Sequence, residues 1–186
     1  MTATTTPYLV LLRGINVGGK NPVPMARLRE LLGELGFESV STYIASGNVL
    51  LRSERSASEV EALVEQALPR AFALDDGGVR VLALSRDRLL AVIDGRPEGF
   101  GERPDEFHSD AIFLMGVGVD EVMPIFNPRE GVDTVWPGDG VVYSQRVSAL
   151  RTKSRLSTIM ASPLYKSMTI RSWQTTLKLG ELVRHL

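Results

Sequence analysis

The order of hydrophobic segments in the first half of the chain is the feature that most restricts its fold. Residues 8–12 form a continuous apolar run, typical of a buried central strand, and they lead into the polar segment 13–21. A helix-spaced apolar pattern begins after Pro24 and stops at Gly36. We therefore expect a strand, a polar loop and a helix at the start of the chain.

The residues that follow predict three further strands and a second helix before position 85. Two β-prone runs flank Ser46 and Gly47, which predicts a tight hairpin. Ser56 and Glu59 form a capping box ahead of a second helix, and residues 79–84 supply a fourth strand. The resulting order, β-α-β-β-α-β, predicts a ferredoxin-like plait.

The second half of the chain shows a similar order of elements with weaker patterns. A segment rich in glycine, proline and charge, 95–107, separates the halves and predicts two domains, 1–95 and 96–186. A hairpin at 132–144 and a helix near 154–161 precede a terminal helix. The expected fold class is α+β, with two ferredoxin-like (βαββαβ) plaits, antiparallel sheets and a C-terminal helix.

Composition excludes several kinds of site. The 21 basic and 22 acidic residues give a net charge of −1, so no global basic field attracts nucleic acid. Cysteine is absent, which excludes disulfides, thiolate metal sites and a cysteine nucleophile. His108 with its neighbours Asp105 and Asp110 is interpreted as surface and not as a metal site. We expect no cofactor, and no pattern identifies catalytic residues.

The location and assembly of the protein are predicted from the same features. The first apolar run is too short for a signal peptide or a membrane span, and a reducing compartment suits a chain without cysteine. We therefore expect a cytoplasmic protein that does not contact membranes. The sequence leaves open whether the protein is an enzyme and what its oligomeric state is.

Topology predicts a ligand site at one edge of the first sheet. A right-handed crossover makes the first two strands parallel, so the loop after strand 1 and the turn after strand 2 emerge at the same edge. The start of the first helix adds partial positive charge there, and neither segment contains a carboxylate. Two cations, flexible glycines and neutral polar groups suit an anion such as phosphate. The predicted ligand-binding residues are Arg13, Asn16, Gly18, Gly19, Lys20, Asn21, Ser46 and Asn48.

Each of these motifs also has a purely structural interpretation. Gly18 and Gly19 would then permit a turn, Ser46 would belong to the hairpin, and Arg13 would pair with an acidic side chain. Short motifs of this kind arise often by chance. The convergence of all of them at one edge favours a ligand site.

A phosphate-binding P-loop is a more specific alternative for the same loop. Residues 14–20 match the first seven positions of that motif. Asn21 stands where a serine or threonine hydroxyl would hold Mg²⁺, and Pro22 disfavours a helical conformation at Asn21. We therefore do not expect a nucleotide-hydrolysing P-loop.

The second half of the chain offers further cations. Arg151, Lys153 and Arg155 form a basic cluster, which we interpret as solvated surface. Arg171 and Trp173 allow two interpretations: Arg171 binds the same anion while Trp173 stacks on a ring, or Trp173 belongs to the core. We include Arg171 and Trp173 in the predicted ligand-binding set.

Three segments resemble the signature of a bacterial protein family, the domain of unknown function 1697. They read LLRGINVGGKN at 11–21, YIASGNV at 43–49 and TIRSWQTTLKL at 169–179, and their order and spacing match across nearly the whole chain. The resemblance implies two ferredoxin-like plaits in one chain and implies no known reaction. Ala45 stands where the family usually has glutamine and Ser172 where it usually has asparagine, so no polar role is carried over to these positions.

Three functions compete on this basis. The first is binding of a small anionic or phosphorylated ligand at the predicted edge, with or without catalysis. The second is nucleic-acid binding, because RNA-recognition domains share the plait, although strand 3 at residues 48–52 lacks the aromatic side chains that stack bases. The third is a non-catalytic protein-interaction or dimerisation module.

Overall fold

The computed structural model describes residues 4–75 and 78–186. These residues form an α+β structure with two four-stranded antiparallel sheets and a C-terminal helix. The chain divides into two compact units, which we name unit 1 (Met1–Leu90 with Leu179–Leu186) and unit 2 (Ala91–Lys178). The domain boundary after residue 95 stays a prediction.

Unit 1 contains the first sheet. Its strands lie in the order β2-β3-β1-β4. Because β3 lies between β1 and β2 and is antiparallel to both, β1 and β2 run in the same direction. The elements are β1 (Thr6–Arg13), α1 (Met25–Glu34), β2 (Glu38–Tyr43), β3 (Asn48–Ser53), α2 (Ala57–Ala71), β4 (Arg80–Ser85) and the first part of α3 (Arg86–Asp94).

The apolar run predicted as a central strand is β1. Tyr8, Val10 and Leu12 belong to the core formed with the buried faces of α1 and α2. Leu9 and Leu11, which alternate with them, have no exposed surface either. Burial on both faces explains why the sequence is uninterrupted by polar residues.

The connection between β2 and β3 is longer than the tight hairpin that the sequence predicts. β2 ends at Tyr43, and residues 44–47 form the turn. Ile44 and Gly47 both adopt positive φ, at 49° and 81°. The Leu12 N–H donates to the Gly47 carbonyl oxygen at 2.8 Å, so the turn is held against the end of β1.

The second helix begins as predicted. Ser56 Oγ accepts from the Glu59 N–H, and the Glu59 carboxylate accepts from the Ser56 N–H, which completes the capping box. Pro69 lies within the helix, which ends two residues later at Ala71. A proline in the last turn removes one helical hydrogen bond, in agreement with a helix that stops there.

Unit 2 contains the second sheet, with strand order β6-β7-β5-β8. The helix predicted near 154–161 is instead a 3₁₀-helix, Leu156–Ala161. Thr158 Oγ1 bonds back to the Arg155 carbonyl oxygen, and Ser162 begins the next 3₁₀ segment, so local side-chain bonds replace a regular helix. The elements are β5 (Phe107–Leu114), α4 (Val119–Val122), β6 (Asp133–Pro137), β7 (Val141–Val147), β8 (Met168–Ser172) and the first part of α5 (Trp173–Arg184).

Among the described residues, we find no helix with the length and apolar character needed to cross a membrane.

Candidate functional site

The Asn16 side chain organises the loop after β1. Its Nδ2 donates to the carbonyl oxygens of Val23 at 3.0 Å and Ala45 at 2.9 Å, and its Oδ1 accepts from the Val23 N–H at 2.8 Å. One amide therefore joins the loop to the start of α1 and to the turn between β2 and β3. These are the segments that the sequence places at one edge of the sheet.

Gly18 and Gly19 form the tip of that loop. Both have positive φ, 57° and 75°, and the Lys20 N–H donates to the Val17 carbonyl oxygen at 3.0 Å, as in a type I′ turn. Lys20 is exposed, and its ammonium makes no hydrogen bond or ion pair with any residue that the structure describes. The turn therefore presents a cation to solvent.

Asn21 brings a third segment to the edge, which the sequence analysis missed. Its Nδ2 donates to the Gly14 carbonyl oxygen at 2.8 Å, and its Oδ1 accepts from the Asp75 N–H at 2.7 Å. β4 runs antiparallel to β1 with Arg80 opposite Arg13, so the segment before β4 returns to the end of β1. An acidic residue, Asp75, therefore has its backbone at this edge, in a segment that the expectation of an edge without carboxylates did not include.

The turn residues Ser46 and Asn48 bond to each other. Asn48 has no exposed surface, and its Nδ2 donates to the Tyr43 carbonyl oxygen and to Ser46 Oγ, both at 3.0 Å. These contacts close the turn. Asn48 thus holds the backbone of the site, in the same way as Asn16 and Asn21.

Arg171 bonds to Thr169, and Trp173 packs against Phe100, both residues of unit 2. Arg171 is 8% exposed, its Nη1 donates to Thr169 Oγ1 at 2.9 Å, and burial lowers its pKa to about 10. Trp173 is 2% exposed and packs edge-on against Phe100, with ring centroids 5.0 Å apart. A Cβ at Gly101 would lie 2.2 Å from the indole, so the backbone also covers the ring. Trp173 is therefore a core residue.

The basic cluster of unit 2 includes a residue that the sequence analysis did not assign. Asp133 is 7% exposed, and its Oδ2 accepts from the N–H groups of Arg129 at 3.0 Å and Arg155 at 2.8 Å. Arg129 Nη1 also donates to the Lys153 carbonyl oxygen at 3.2 Å. Burial raises the pKa of Asp133, but hydrogen bonds from Arg155, Ser154 and Arg129 outweigh it and lower the pKa overall.

Asp110 is a second polar residue whose environment differs from the expectation. β5 begins at Phe107, so His108 and Asp110 lie in a strand and not in a surface linker. The Asp110 side chain is 17% exposed, and His108 Nε2 lies 3.1 Å from Asp110 Oδ1. Burial raises the Asp110 pKa, although the charges of His108 and Arg146 lower it. The described residues contain no group of three His, Cys, Asp or Glu that could hold a metal ion.

Comparison with known proteins assigns the chain to a family. The model of a family described as protein of unknown function, DUF1697, matches residues 5–143. The chain belongs to the DUF1697 family. A conserved bacterial protein, SP0830 from Streptococcus pneumoniae, is structurally similar to this DUF1697 chain, with a TM-score of 0.82 and 28% identity over 97% of this chain and 99% of that one. No curated protein matches this DUF1697 chain.

Proposed function

We propose that this protein binds a small anionic ligand, such as a phosphorylated metabolite, at the edge formed by residues 13–21 and 46–48. The Asn16 hydrogen bonds are the observation that carries the proposal, because they join the loop, the start of α1 and the turn. Lys20 is left exposed on that loop. The proposed contacts are the Lys20 ammonium and the N–H groups of Gly18 and Gly19.

Electrostatics at the edge favours an anion. The first turn of α1 contains no acidic residue, and its N-cap, Pro24, makes no side-chain capping bond, so the positive end of the helix is not neutralised by the protein. Lys20 adds an exposed cation, and Asp75 is an acidic residue whose backbone N–H bonds to Asn21 at the same edge. The end of the helix and Lys20 together favour a negatively charged ligand.

Exposed apolar side chains extend the proposal to the rest of the ligand. Val17 is 67% exposed beside the Gly18-Gly19 turn, and Ile44 is 52% exposed in the turn that Asn16 contacts through Ala45. Large aliphatic residues at such positions contribute no core packing and can cover an apolar group. The ligand we propose therefore carries an apolar moiety besides its anionic group.

A thermal-shift screen with Lys20→Gln tests the proposal. The probes are inorganic phosphate, pyrophosphate, nucleoside monophosphates and sugar phosphates, and the control variant is Lys153→Gln in unit 2. A ligand at about 100 times its Kd stabilises the folded state by about 2.7 kcal/mol, which raises the Tm by several degrees. We expect at least one probe to do so in the wild type and in Lys153→Gln, and at least tenfold weaker binding in Lys20→Gln.

Two outcomes of this screen would contradict the proposal. One is the absence of a shift with every anion at millimolar concentration. The other is a shift that Lys20→Gln leaves unchanged, since an anion bound elsewhere on the protein would produce that result.

A second candidate function is binding of single-stranded RNA by the basic cluster of unit 2. The observation that favours it is the fixed backbone around Asp133, which holds Arg129, Lys153 and Arg155 in one place. In β7, which holds in the second sheet the place of β3 in the first, the aromatic residue Tyr143 is buried and offers no surface for stacking bases, which weighs against this candidate. Fluorescence anisotropy at low salt separates the two, because RNA binding would be weakened by Lys153→Gln and not by Lys20→Gln.

We also propose that each sheet belongs to a ferredoxin-like plait. The two sheets share one strand order, with the third strand of each set between the first and second. In unit 1, α1 and α2 pack on the face of the sheet that Val10 and Leu12 occupy. In unit 2, 3₁₀ segments between β7 and β8 stand where a plait has its second helix.

A further inference from the structure

A cavity in unit 2 lies between the second sheet and the 3₁₀-helix Leu156–Ala161. Its volume is ≈ 130 Å³, and Ile112, Leu156, Ile159 and Ile170 line its apolar part. A cavity of about 150 Å³ holds one benzene molecule, so this space suits a side chain of four to six carbon atoms. Ile112 and Ile170 stand opposite each other on β5 and β8 and form the floor.

The polar part of the same cavity is formed by β5 and β7. Asp110 faces Ser144 in the strand register, and Arg146 is two residues further along β7, opposite His108. Asp110 and Arg146 are thus diagonal cross-strand neighbours, with Cα atoms about 7–8 Å apart. All three side chains line the cavity. A carboxylate and a guanidinium therefore border one space beside an apolar wall.

The polar groups of this cavity are not saturated by the protein. Arg146 acts through its charge on Asp110 and on Asp133, which lies opposite it on β6, but its guanidinium forms no hydrogen bond or ion pair with any residue in 4–75 or 78–186. The Ser144 residue is 3% exposed, and within the described chain no group bonds to its hydroxyl. The Ser144 side chain lines the cavity, so its hydroxyl is available there to a polar ligand.

We expect the Asp110 carboxylate to lower the stability of the free protein. Its carboxylate is mostly buried, and the groups that face it are His108 from its own strand and Arg146 from β7. Burial raises the pKa of Asp110 above that of an unfolded aspartate, so the ionised form costs stability at every pH above both values. A chain selected for stability alone would place an uncharged residue there.

We propose that this cavity binds a free α-amino acid with a small apolar side chain. The Asp110 carboxylate accepts from the ammonium group, the Arg146 guanidinium donates to the carboxylate, and the isoleucine and leucine side chains enclose the aliphatic group. The opposite charges at the polar end match a zwitterion. A simple anion would be repelled by the Asp110 carboxylate, and a simple cation would be repelled by the Arg146 guanidinium. The site is separate from the anion site proposed for unit 1 and does not depend on it.

Isothermal titration calorimetry with three probes of one shape tests this assignment. The probes are leucine, isoamylamine, which lacks the carboxylate, and 4-methylpentanoate, which lacks the amine. We expect leucine to bind at least tenfold more tightly than either. Asp110→Asn should weaken leucine and isoamylamine at least tenfold, and Arg146→Gln should do so for leucine and 4-methylpentanoate. Asp105→Asn and Arg151→Gln, which change exposed residues of the same unit, should leave all three unchanged.

A melting curve distinguishes a binding role of Asp110 from a structural one. Asp110→Asn removes the buried charge and keeps an oxygen that can accept from His108, so its Tm at pH 7 should equal or exceed that of the wild type. Combined with the loss of leucine binding, that result supports the assignment. The assignment is overturned if no probe produces heat, if Arg146→Gln leaves leucine binding unchanged, or if Asp110→Asn melts lower while binding leucine normally.

Discussion

At the scale of single residues, the geometry of the unit 1 edge depends on Asn16. Its amide makes three hydrogen bonds to the backbone, and its own φ is 53°, a conformation in which asparagine is favoured over most other residues. Asn21 at φ 49° makes a similar pair of bonds to a different segment. These asparagines are part of the folded scaffold, and the residues we expect to touch a ligand lie between them.

Asn16→Ala should therefore destabilise the protein by about 3 kcal/mol, because each of the three lost hydrogen bonds contributes about 1 kcal/mol. Urea denaturation followed by circular dichroism measures the change in the free energy of unfolding. Asn127→Ala is the matched control, since Asn127 is an exposed loop residue whose side chain bonds to none of the described residues. Equal stability of the two variants would show that the Asn16 bonds do not hold the loop.

At the scale of elements, the sequence correctly predicted those elements for which the local sequence and the tertiary contacts favour the same conformation. β1 was predicted because burial on both faces requires a continuous apolar run. The start of α2 was predicted because Ser56 and Glu59 form a recognisable capping box. The turn at 44–47 was not predicted, because it is held by a bond to the distant residue Leu12. The 3₁₀-helix Leu156–Ala161 was not predicted, because its apolar spacing does not show the local side-chain bonds of Thr158 and Ser162.

The capping box provides a test at this scale. Ser56→Ala should destabilise the protein by about 1 kcal/mol, the usual cost of an N-cap. Hydrogen bonds from the Ser56 side chain and backbone lower the pKa of Glu59. The stabilisation that follows from this lowered pKa is present above the pKa of Glu59 in the unfolded chain. It is lost as the pH falls through the pKa of Glu59 in the folded protein.

Melting temperatures between pH 3 and pH 7 measure both effects of the cap. The gap between wild type and Ser56→Ala should narrow towards pH 3. Glu59→Gln, which keeps the reach of the side chain without its charge, should remove that pH dependence while retaining most of the stability at pH 7. A gap that stays constant with pH would contradict the role given to Glu59.

The candidate sites were also predicted only in part, where the strand order alone determines which segments lie together. Strand order alone predicted that the loop after β1 and the turn after β2 share an edge, and Asn16 joins them. The segment at Asp75 was missed because the prediction considered only the parallel strands β1 and β2. The segment precedes β4, the antiparallel neighbour of β1. Asp110 was interpreted as surface because the sequence does not show that β5 already begins at Phe107, and in that strand the Asp110 side chain is mostly buried.

At the scale of the whole molecule, the C-terminal residues belong to the same unit as the N-terminal sheet. Arg52 Nη1 donates to the Leu186 carbonyl oxygen at 2.8 Å, and Leu179 and Val183 have no exposed surface. Each buried aliphatic side chain contributes about 1.5–3 kcal/mol. Deletion of residues 179–186 should therefore destabilise unit 1 by about 3–6 kcal/mol.

Thermal unfolding of the truncated protein measures this effect. His185→Ala is the control, because it changes an exposed side chain and leaves the Leu186 backbone contact in place. Thermal unfolding of a fragment 1–95 also tests the domain boundary predicted after residue 95, since this fragment lacks residues 179–186 of unit 1. A fragment 1–95 as stable as the full chain would favour that boundary.

The discontinuity of unit 1 has a consequence for synthesis on the ribosome. Residues 91–178 are translated between the two segments that make up unit 1, so residues 179–186 leave the exit tunnel after unit 2. Unit 2 can fold on the nascent chain while the first sheet still lacks Leu179 and Val183. The first sheet is therefore incomplete, and accessible to chaperones and proteases, until residues 179–186 have emerged.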